Sequence, residues 1–154
     1  MRTIIQNGTI VSDTAAFRAG LLLEDGVVKA VGAGLSAPDA QVIDASGKYV
    51  LPGAVDVHTH MDLQAGAHRA VDDFYTGTVA AACGGTTTIV DFGTQYEGES
   101  LADGLRNWHE KADGKCSCDY GFHMSISDWN PSVSRELDDM MEAGITSFKL
   151  YMTY

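Results

Sequence analysis

The sequence predicts an α/β protein in which a small, mostly antiparallel β-module (residues 1–52) precedes a domain of alternating strands and helices (residues 53–154). Three observations support this. Turn dipeptides separate short apolar runs in the first part, and a Pro-Gly step at 52–53 ends that pattern. Beyond it, strand-like segments begin roughly 30 residues apart, the size of a βα unit. Alternating units of this kind imply a parallel sheet with right-handed crossovers.

The β-module is predicted from apolar and β-branched runs bounded by turn residues. Asn7-Gly8 and Asp25-Gly26 are dipeptides that two-residue hairpin turns prefer, because both residue types tolerate positive φ. We therefore expect one hairpin across Asn7-Gly8 and another across Asp25-Gly26. The predicted strands cover residues 3–5, 9–11, 21–23, 27–31, 41–44 and 48–51.

The second region contains four strand-like segments, each of the first three followed by a helical one. Ser100 is a suitable N-cap for the second helix, and glycines at 84–85 and 144 end the first and third. A complete (β/α)8 barrel needs about 250 residues. These units therefore form either a small open sheet or the first half of a barrel, and we expect the chain to be a fragment. The predicted strands are 54–58, 86–92, 120–126 and 146–151, and the predicted helices 71–83, 100–112 and 132–143.

Composition excludes several classes of partner and compartment. The formal net charge of −11 argues against binding to nucleic acid or to an anionic membrane. No apolar run approaches the length of a membrane span, and the first residues do not resemble a signal sequence. The three cysteines lack the spacing of a disulfide framework, which favours free thiols in a reducing compartment. We expect a soluble, cytoplasmic protein.

The stretch GAVDVHTH, residues 53–60, ends a predicted strand with two histidines one residue apart. Side chains alternate along a strand, so His58 and His60 share a face with Asp56, and the intervening valines face the packed helices. Two imidazoles so placed can bind one metal ion, and nitrogen ligands suit zinc. For this motif alone, a solvated histidine pair is an equal alternative.

Further candidates follow the other strands, whose carboxyl ends form the functional edge of parallel sheets. Asp56 and Asp91 can orient a metal-binding histidine, although a turn-capping role for Asp91 is an equal alternative. Lys149 lies in an apolar strand. Burial would lower its pKa and let the amine take up carbon dioxide as a carbamate, whereas a strand-end lysine that reaches water is the simpler interpretation. His123, in mid-strand, is expected to be a hydrogen-bonded core residue.

These residues resemble one known family. The histidine pair, together with Lys149 in GITSFKLYMTY (residues 144–154), resembles the dihydropyrimidinase/D-hydantoinase family of the amidohydrolase superfamily. The segments VDDFYTGT, GGTTTIVDF and DYGFHM add to the resemblance, which covers essentially the whole chain. It implies the first half of a (β/α)8 TIM-type metallohydrolase barrel after a small β-sandwich portion.

The resemblance also implies roles for individual residues. His58 and His60 would bind one of two Zn²⁺ ions, and Lys149, N6-carboxylated by carbon dioxide, would bridge both. Tyr154 would be catalytic and substrate-binding, donating a hydrogen bond to the substrate carbonyl and the developing oxyanion. Leu63, in the loop 62–72, would contact the exocyclic substituent of the substrate ring.

The implied reaction is hydrolysis of a cyclic amide C–N bond in dihydropyrimidines or 5-substituted hydantoins, by a metal-bridged hydroxide. The remaining histidine ligands and the acid/base aspartate of the family belong to later strands, so the chain alone is expected to be inactive. Asp62 stands where dihydroorotases carry an arginine, which argues against that substrate. Allantoinase and a non-catalytic assembly homologue remain alternatives. The family further implies a homotetramer at full length.

Overall fold

The structure is a computed structural model that describes residues 1–151. The chain divides into two compact units, Met1–Pro52 and Gly53–Tyr154. Among the described residues, no helix combines the length and the apolar character needed to cross a membrane.

The first unit consists of two sheets, each combining parallel and antiparallel pairs. One has the strand order β5-β4-β1-β6 and the other the order β3-β2-β7. The short strand β3 was not predicted. The strands are β1 (Arg2–Gln6), β2 (Thr9–Val11), β3 (Ala16–Arg18), β4 (Gly20–Glu24), β5 (Val27–Gly32), β6 (Gln41–Asp44) and β7 (Tyr49–Val50).

The two turn dipeptides behave differently. The hairpin predicted at Asp25-Gly26 is confirmed, since β4 and β5 pair antiparallel across Asp25 (φ 50°) and Gly26 (φ 79°). The hairpin predicted at Asn7-Gly8 is wrong, because β1 and β2 belong to different sheets. Asn7 has a φ of 65°, but Gly8 does not enter the positive region that this turn type requires at both positions. Gly8 instead lies against Val50, whose Cγ2 would be 2.7 Å from an added Cβ.

The second unit is built on a parallel sheet of four strands in the order β13-β12-β11-β8. Strand order follows chain order without reversal, as in a barrel and unlike a doubly wound sheet. The predicted first half of a (β/α)8 barrel is therefore confirmed. Its elements are β8 (Ala54–Thr59), β9 (Gln64–Ala65), β10 (His68–Arg69), α1 (Phe74–Cys83), β11 (Thr86–Gln95), α2 (Leu101–Ala112), β12 (Asp119–Ile126), α3 (Pro131–Arg135), α4 (Leu137–Glu142) and β13 (Phe148–Leu150).

Three of the four described helices, α1, α2 and α3, begin at side-chain caps, and α4 does not. Asp73 caps α1, and Ser100 caps α2 as predicted, each within a reciprocal capping box. The third predicted helix is instead two short helices, and Asn130 caps the first of them. They meet at Glu136, whose carboxylate accepts a hydrogen bond of 2.7 Å from the backbone N–H of Leu101. That bond satisfies a free N–H at the start of α2.

The core of this unit lies between the sheet and its helices. The valines of β8 depart from the expectation: Val55 and Val57 are 57% and 58% exposed. Among the described residues, β8 is an edge strand, and α1 and α2 pack on β11 instead. The buried apolar cluster comprises Phe74, Ile89, Leu101, Leu105, Trp108, Ala112, Phe122, Met124, Ile126, Val133, Met140 and Ile145.

Candidate metal centre

The histidine pair at the end of β8 converges as strand alternation predicts. His58 Nε2 and His60 Nε2 are 3.2 Å apart, and the two ring planes are inclined by 81°. Asp56, on the same face, accepts a hydrogen bond of 3.1 Å from the backbone N–H of His58. The Asp56 carboxylate therefore fixes the strand backbone beneath the pair rather than an imidazole.

Phe92, which sequence reasoning missed, forms the floor of this site. Its ring centroid lies 4.7 Å from that of His58 and 5.2 Å from that of His60. Lys149 Nζ lies 4.6 Å from the same centroid, in a cation–π arrangement. The structure thus places the lysine amine on the face that carries both histidines. Because side chains alternate along β11, Asp91 and Phe92 point to opposite faces of the sheet. The sequence could therefore have placed Phe92 on this face, but it could not have revealed the contact with the histidines.

The surroundings of His60 favour the neutral form of its imidazole. Its Nδ1 is buried and has no hydrogen-bond partner among the described residues. Burial lowers the pKa of His60, and the charges of Lys149 and His58 lower it further, whereas Asp91 opposes the shift. A neutral imidazole presents a lone pair to a ligand at neutral pH.

The pair fits one metal ion. Two nitrogens bound at 2.0–2.1 Å to a tetrahedral ion lie about 3.3–3.4 Å from each other, close to the observed 3.2 Å. Residues 1–151 contain no group of three His, Cys, Asp or Glu side chains that could hold a metal ion. Lys149, on the same aromatic ring as the histidines, becomes an oxygen ligand only as a carbamate.

Asp91 holds the turn that follows β8. Its carboxylate has no solvent exposure and accepts three hydrogen bonds: from Thr59 Oγ1 at 2.7 Å, from Met61 N at 2.8 Å and from Trp108 Nε1 at 2.9 Å. Two of the donors flank His60 in the chain. These bonds correspond to the turn-capping alternative, because none of them goes to an imidazole.

His123 spans the concave face of the sheet. Its Nε2 lies 3.0 Å from the backbone oxygen of Val57, and its Nδ1 contacts the hydroxyl of Ser147. A carbonyl oxygen only accepts, so Nε2 donates and Nδ1 accepts the Ser147 proton. His123 is hydrogen-bonded as expected, but it is partly exposed and does not belong to the buried core.

Hydrogen bonds that the sequence did not predict connect the loop 62–72 to two other elements and stabilise it internally. Asp62 accepts a hydrogen bond of 2.6 Å from Arg69 Nε, and its backbone oxygen accepts one of 3.1 Å from Lys111 Nζ. The hydroxyl of Tyr96, at the end of β11, donates to Gln64 O at 3.3 Å. The loop is thus fixed to both β11 and α2.

A cavity of about 380 Å³ opens beneath this loop, and Leu63 lines it. The predicted contact of Leu63 with a substrate stays a prediction, since the lining of this cavity includes neither histidine of the pair and not Lys149. Tyr154 lies outside the described residues. The other lining residues are Gln64, Ala65, Gly66, Thr94, Tyr96, Ser127 and Tyr151.

Gln95, the last residue of β11, connects two neighbouring loops and was also missed. The side chain is fully buried, and its Oε1 accepts hydrogen bonds from Ser127 N at 3.0 Å and Asp128 N at 3.1 Å. Its Nε2 donates to Glu99 O at 2.8 Å. One amide therefore joins the ends of β11 and β12 to the loop before α2.

Comparison with known proteins shows the family and the fold of this chain. A family model described as "Amidohydrolase family" matches residues 49–149. D-hydantoinase of Streptomyces coelicolor is 52% identical over 99% of this chain and 34% of its own length. Dihydropyrimidinase of Rattus norvegicus is 40% identical over 99% of this chain and 31% of its own. A crystal structure of D-hydantoinase superposes with a TM-score of 0.96 at 48% identity, covering 100% of this chain and 34% of the other. The chain thus spans about a third of the length of these relatives.

Proposed function

Because the chain belongs to the amidohydrolase family, we propose that it forms part of a zinc-dependent cyclic amidase, which hydrolyses a C–N bond of dihydropyrimidines or 5-substituted hydantoins. The observation that carries this proposal is the 3.2 Å separation of His58 Nε2 and His60 Nε2. The amine of Lys149 on the same aromatic floor supports it. The names of the D-hydantoinase and dihydropyrimidinase relatives supply the substrate class.

In this proposal His58 and His60 would hold a Zn²⁺ ion, and carboxylated Lys149 would supply carbamate oxygens as further ligands of a two-zinc site. The carbamate forms when the neutral amine of Lys149 attacks carbon dioxide, making an N–C bond and releasing one proton to solvent. When bound, zinc lowers the pKa of a coordinated water and polarises the scissile carbonyl. The remaining ligands and the general acid/base group come from residues beyond this chain.

The other residues of this chain orient the site and receive the substrate. Asp56 and Asp91 hold the backbone on either side of the histidine pair, through their bonds to His58 N and Met61 N. The cavity lined by Leu63 accepts the exocyclic substituent of the ring. Tyr154 would donate a hydrogen bond to the substrate carbonyl, where negative charge develops during attack.

Zinc analysis of the full-length protein tests the proposal. We expect two zinc ions per wild-type chain, and we expect His58→Ala and His60→Ala to lose zinc together with hydrolysis of dihydrouracil and 5-substituted hydantoins. His109→Ala is the matched control, because His109 is exposed on α2 and bonds to Asp113. A wild-type protein that retains less than one zinc per chain would contradict the assignment.

A substrate panel separates the neighbouring activities. Dihydrouracil, a 5-substituted hydantoin and allantoin are offered to the zinc-loaded full-length protein. Turnover of the first two is expected, and turnover of allantoin alone would identify an allantoinase instead. A protein that binds zinc and turns over none of them would favour the non-catalytic assembly homologue.

The proposal extends to organisation and location. We assign residues 1–52 to a β-sandwich domain and 53–154 to the barrel, in a homotetramer that resides in the cytoplasm. The three cysteines, Cys83, Cys116 and Cys118, are all free thiols, which suits a reducing compartment. Sedimentation of the full-length protein tests the tetramer, and a stable monomer at micromolar concentration would contradict it.

A further inference from the structure

Ser125, on β12, carries a buried hydroxyl that the fold itself does not use. The residue has no solvent exposure, and its Oγ has no hydrogen-bond partner among the described residues. A buried hydroxyl without a partner lowers stability relative to a bonded one. Such a group in a folded protein indicates a partner that residues 1–151 do not supply.

The register of the sheet places this hydroxyl beside Lys149. Ser125 pairs with Thr94 of β11 on one side and with Lys149 of β13 on the other. Paired residues of a parallel ladder point to the same face. Lys149 starts on β13, yet its Nζ lies over the ring of Phe92 on β11. The lysine side chain must therefore cross β12 on the face from which Ser125 points.

Two neighbouring polar side chains on this face, those of Thr94 and His123, already have partners among the described residues. Thr94 Oγ1 donates to Phe92 O at 3.3 Å, and both ring nitrogens of His123 are bonded. The Lys149 ammonium is a donor only, so it offers the Ser125 proton nothing to bond to. Carboxylation would change that, since a carbamate carries two acceptor oxygens.

We propose that Ser125 is a positioning residue, whose hydroxyl donates a hydrogen bond to the carbamate formed on Lys149. This inference rests on the proposed function, because it requires the lysine to be carboxylated. In the reaction the amine lone pair of Lys149 forms an N–C bond to carbon dioxide, and one amine proton goes to solvent. The resulting anion accepts the Ser125 proton, which favours the carboxylated lysine over the free amine.

The test measures carboxylation directly, in the metal-free full-length protein. The protein is titrated with ¹³C-bicarbonate, and the carbamate carbon is followed by NMR, with Lys149→Ala identifying the signal. We expect Ser125→Ala to need about tenfold more bicarbonate for half-maximal carboxylation, since a hydrogen bond to a charged group is lost. An unchanged bicarbonate requirement in Ser125→Ala would overturn the inference.

Ser147→Ala is the matched control, because it shows whether a general loss of sheet stability by itself changes carboxylation. It also removes one serine hydroxyl, but that hydroxyl bonds to His123 within the fold. We expect Ser147→Ala to lower the melting temperature and leave the bicarbonate requirement unchanged. Ser125→Ala should show the opposite pattern, keeping its melting temperature in carbon-dioxide-free buffer. If Ser147→Ala raises the requirement as much as Ser125→Ala does, the effect is not specific to Ser125 and the inference fails.

A second variant covers the case in which Ser125→Ala does not fold. Ser125→Cys keeps a group of similar shape with a much weaker donor, and it should also raise the bicarbonate requirement. Failure of the inference remains distinct from failure of the proposed function. A wild-type carbamate with the same bicarbonate dependence as the variants overturns the role of Ser125 alone. A wild-type protein that forms no carbamate on Lys149 overturns both.

Discussion

The carboxylate of Asp91 accepts a hydrogen bond of 2.9 Å from the indole N–H of Trp108, and neither residue exposes more than 1% of its surface. The contact joins the end of β11 to the inner face of α2. Because the other carboxylate oxygen bonds to Thr59 and Met61, the helix, the strand and the turn after His60 share one anchor.

Replacing Asp91 by Asn should weaken both the fold and the metal site. The side chain of Asn has one acceptor oxygen, and an NH₂ group replaces the other oxygen. Either the N–H of Trp108 or the N–H of Met61 would then point at that NH₂ group and lose its hydrogen bond. We expect the free energy of unfolding to fall by about 1–3 kcal/mol, measured by urea denaturation. Zinc affinity should fall about tenfold or more, because residues that orient a metal site commonly contribute that much.

Thr59→Val is the control for Asp91→Asn. It removes one donor to the carboxylate and leaves the bonds from Trp108 and Met61 intact. Its loss of stability should therefore be smaller than that of Asp91→Asn. Equal urea midpoints for wild type and Asp91→Asn would show that this carboxylate does not anchor the turn.

The histidine pair of the candidate site could be predicted from the local sequence pattern, whereas the residues around it could not. Strand alternation is enough to bring His58 and His60 together, because both lie on one strand. The roles of Phe92 and Tyr96 depend on partners far along the chain, such as Lys149 and Gln64. The sequence on either side of Phe92 and Tyr96 therefore could not predict those contacts.

The glycines of the two turn dipeptides should respond differently to alanine. Gly26 has a φ of 79° and open space around it, so Gly26→Ala adds backbone strain of about 1–2 kcal/mol. Gly8→Ala instead brings a Cβ to 2.7 Å from Val50 Cγ2 and 3.0 Å from Ala45 Cβ. Overpacking of this kind costs about 1–3 kcal/mol.

A double-mutant cycle separates the two mechanisms. Val50→Ala should relieve much of the loss caused by Gly8→Ala, because it removes the clashing methyl group. It should not relieve Gly26→Ala, since strain in the backbone has no partner to remove. Urea denaturation of the three single and the two double variants gives the coupling energies. Additive effects of Gly8→Ala and Val50→Ala would contradict the steric explanation.

The same comparison explains why one hairpin prediction was wrong. Turn dipeptides report what the backbone can adopt locally, and both Asn7-Gly8 and Asp25-Gly26 permit a tight turn. At Gly8 the deciding contact is with Val50, on a strand more than 40 residues later. In contrast, the start of α2 was predictable, because Ser100 and Asp103 form its cap within one turn.

The three thiols should differ in reactivity. Burial raises the pKa of Cys116 to about 11, with the neighbouring Cys118 and Asp113 adding to the shift. At pH 8 about one Cys116 in a thousand is then a thiolate, which is the reactive form. Cys83 is exposed on α1, and we expect iodoacetamide to label Cys83 well before Cys116.

Peptide mass spectrometry at successive labelling times measures these rates. Labelling in 8 M urea is the control, where the difference between the sites should disappear because both thiols are then solvated. Equal labelling rates for Cys83 and Cys116 in the folded protein would contradict the burial of Cys116.

Alkaline pH should destabilise the fold through Tyr120. Its hydroxyl donates a hydrogen bond of 2.6 Å to Asp113, and this bond, with burial, raises the pKa of Tyr120 to about 12. A pKa raised above the unfolded value of about 10 means that the folded protein retains the proton longer. The contribution to stability is thus complete below pH 10 and is lost as the pH rises from 10 through 12.

Tyr120→Phe should remove this part of the alkaline loss, whereas Tyr49→Phe, at an exposed site, should keep it. Parallel pH dependences of urea stability for wild type and Tyr120→Phe between pH 10 and 12 would show that the Asp113 bond does not hold the proton.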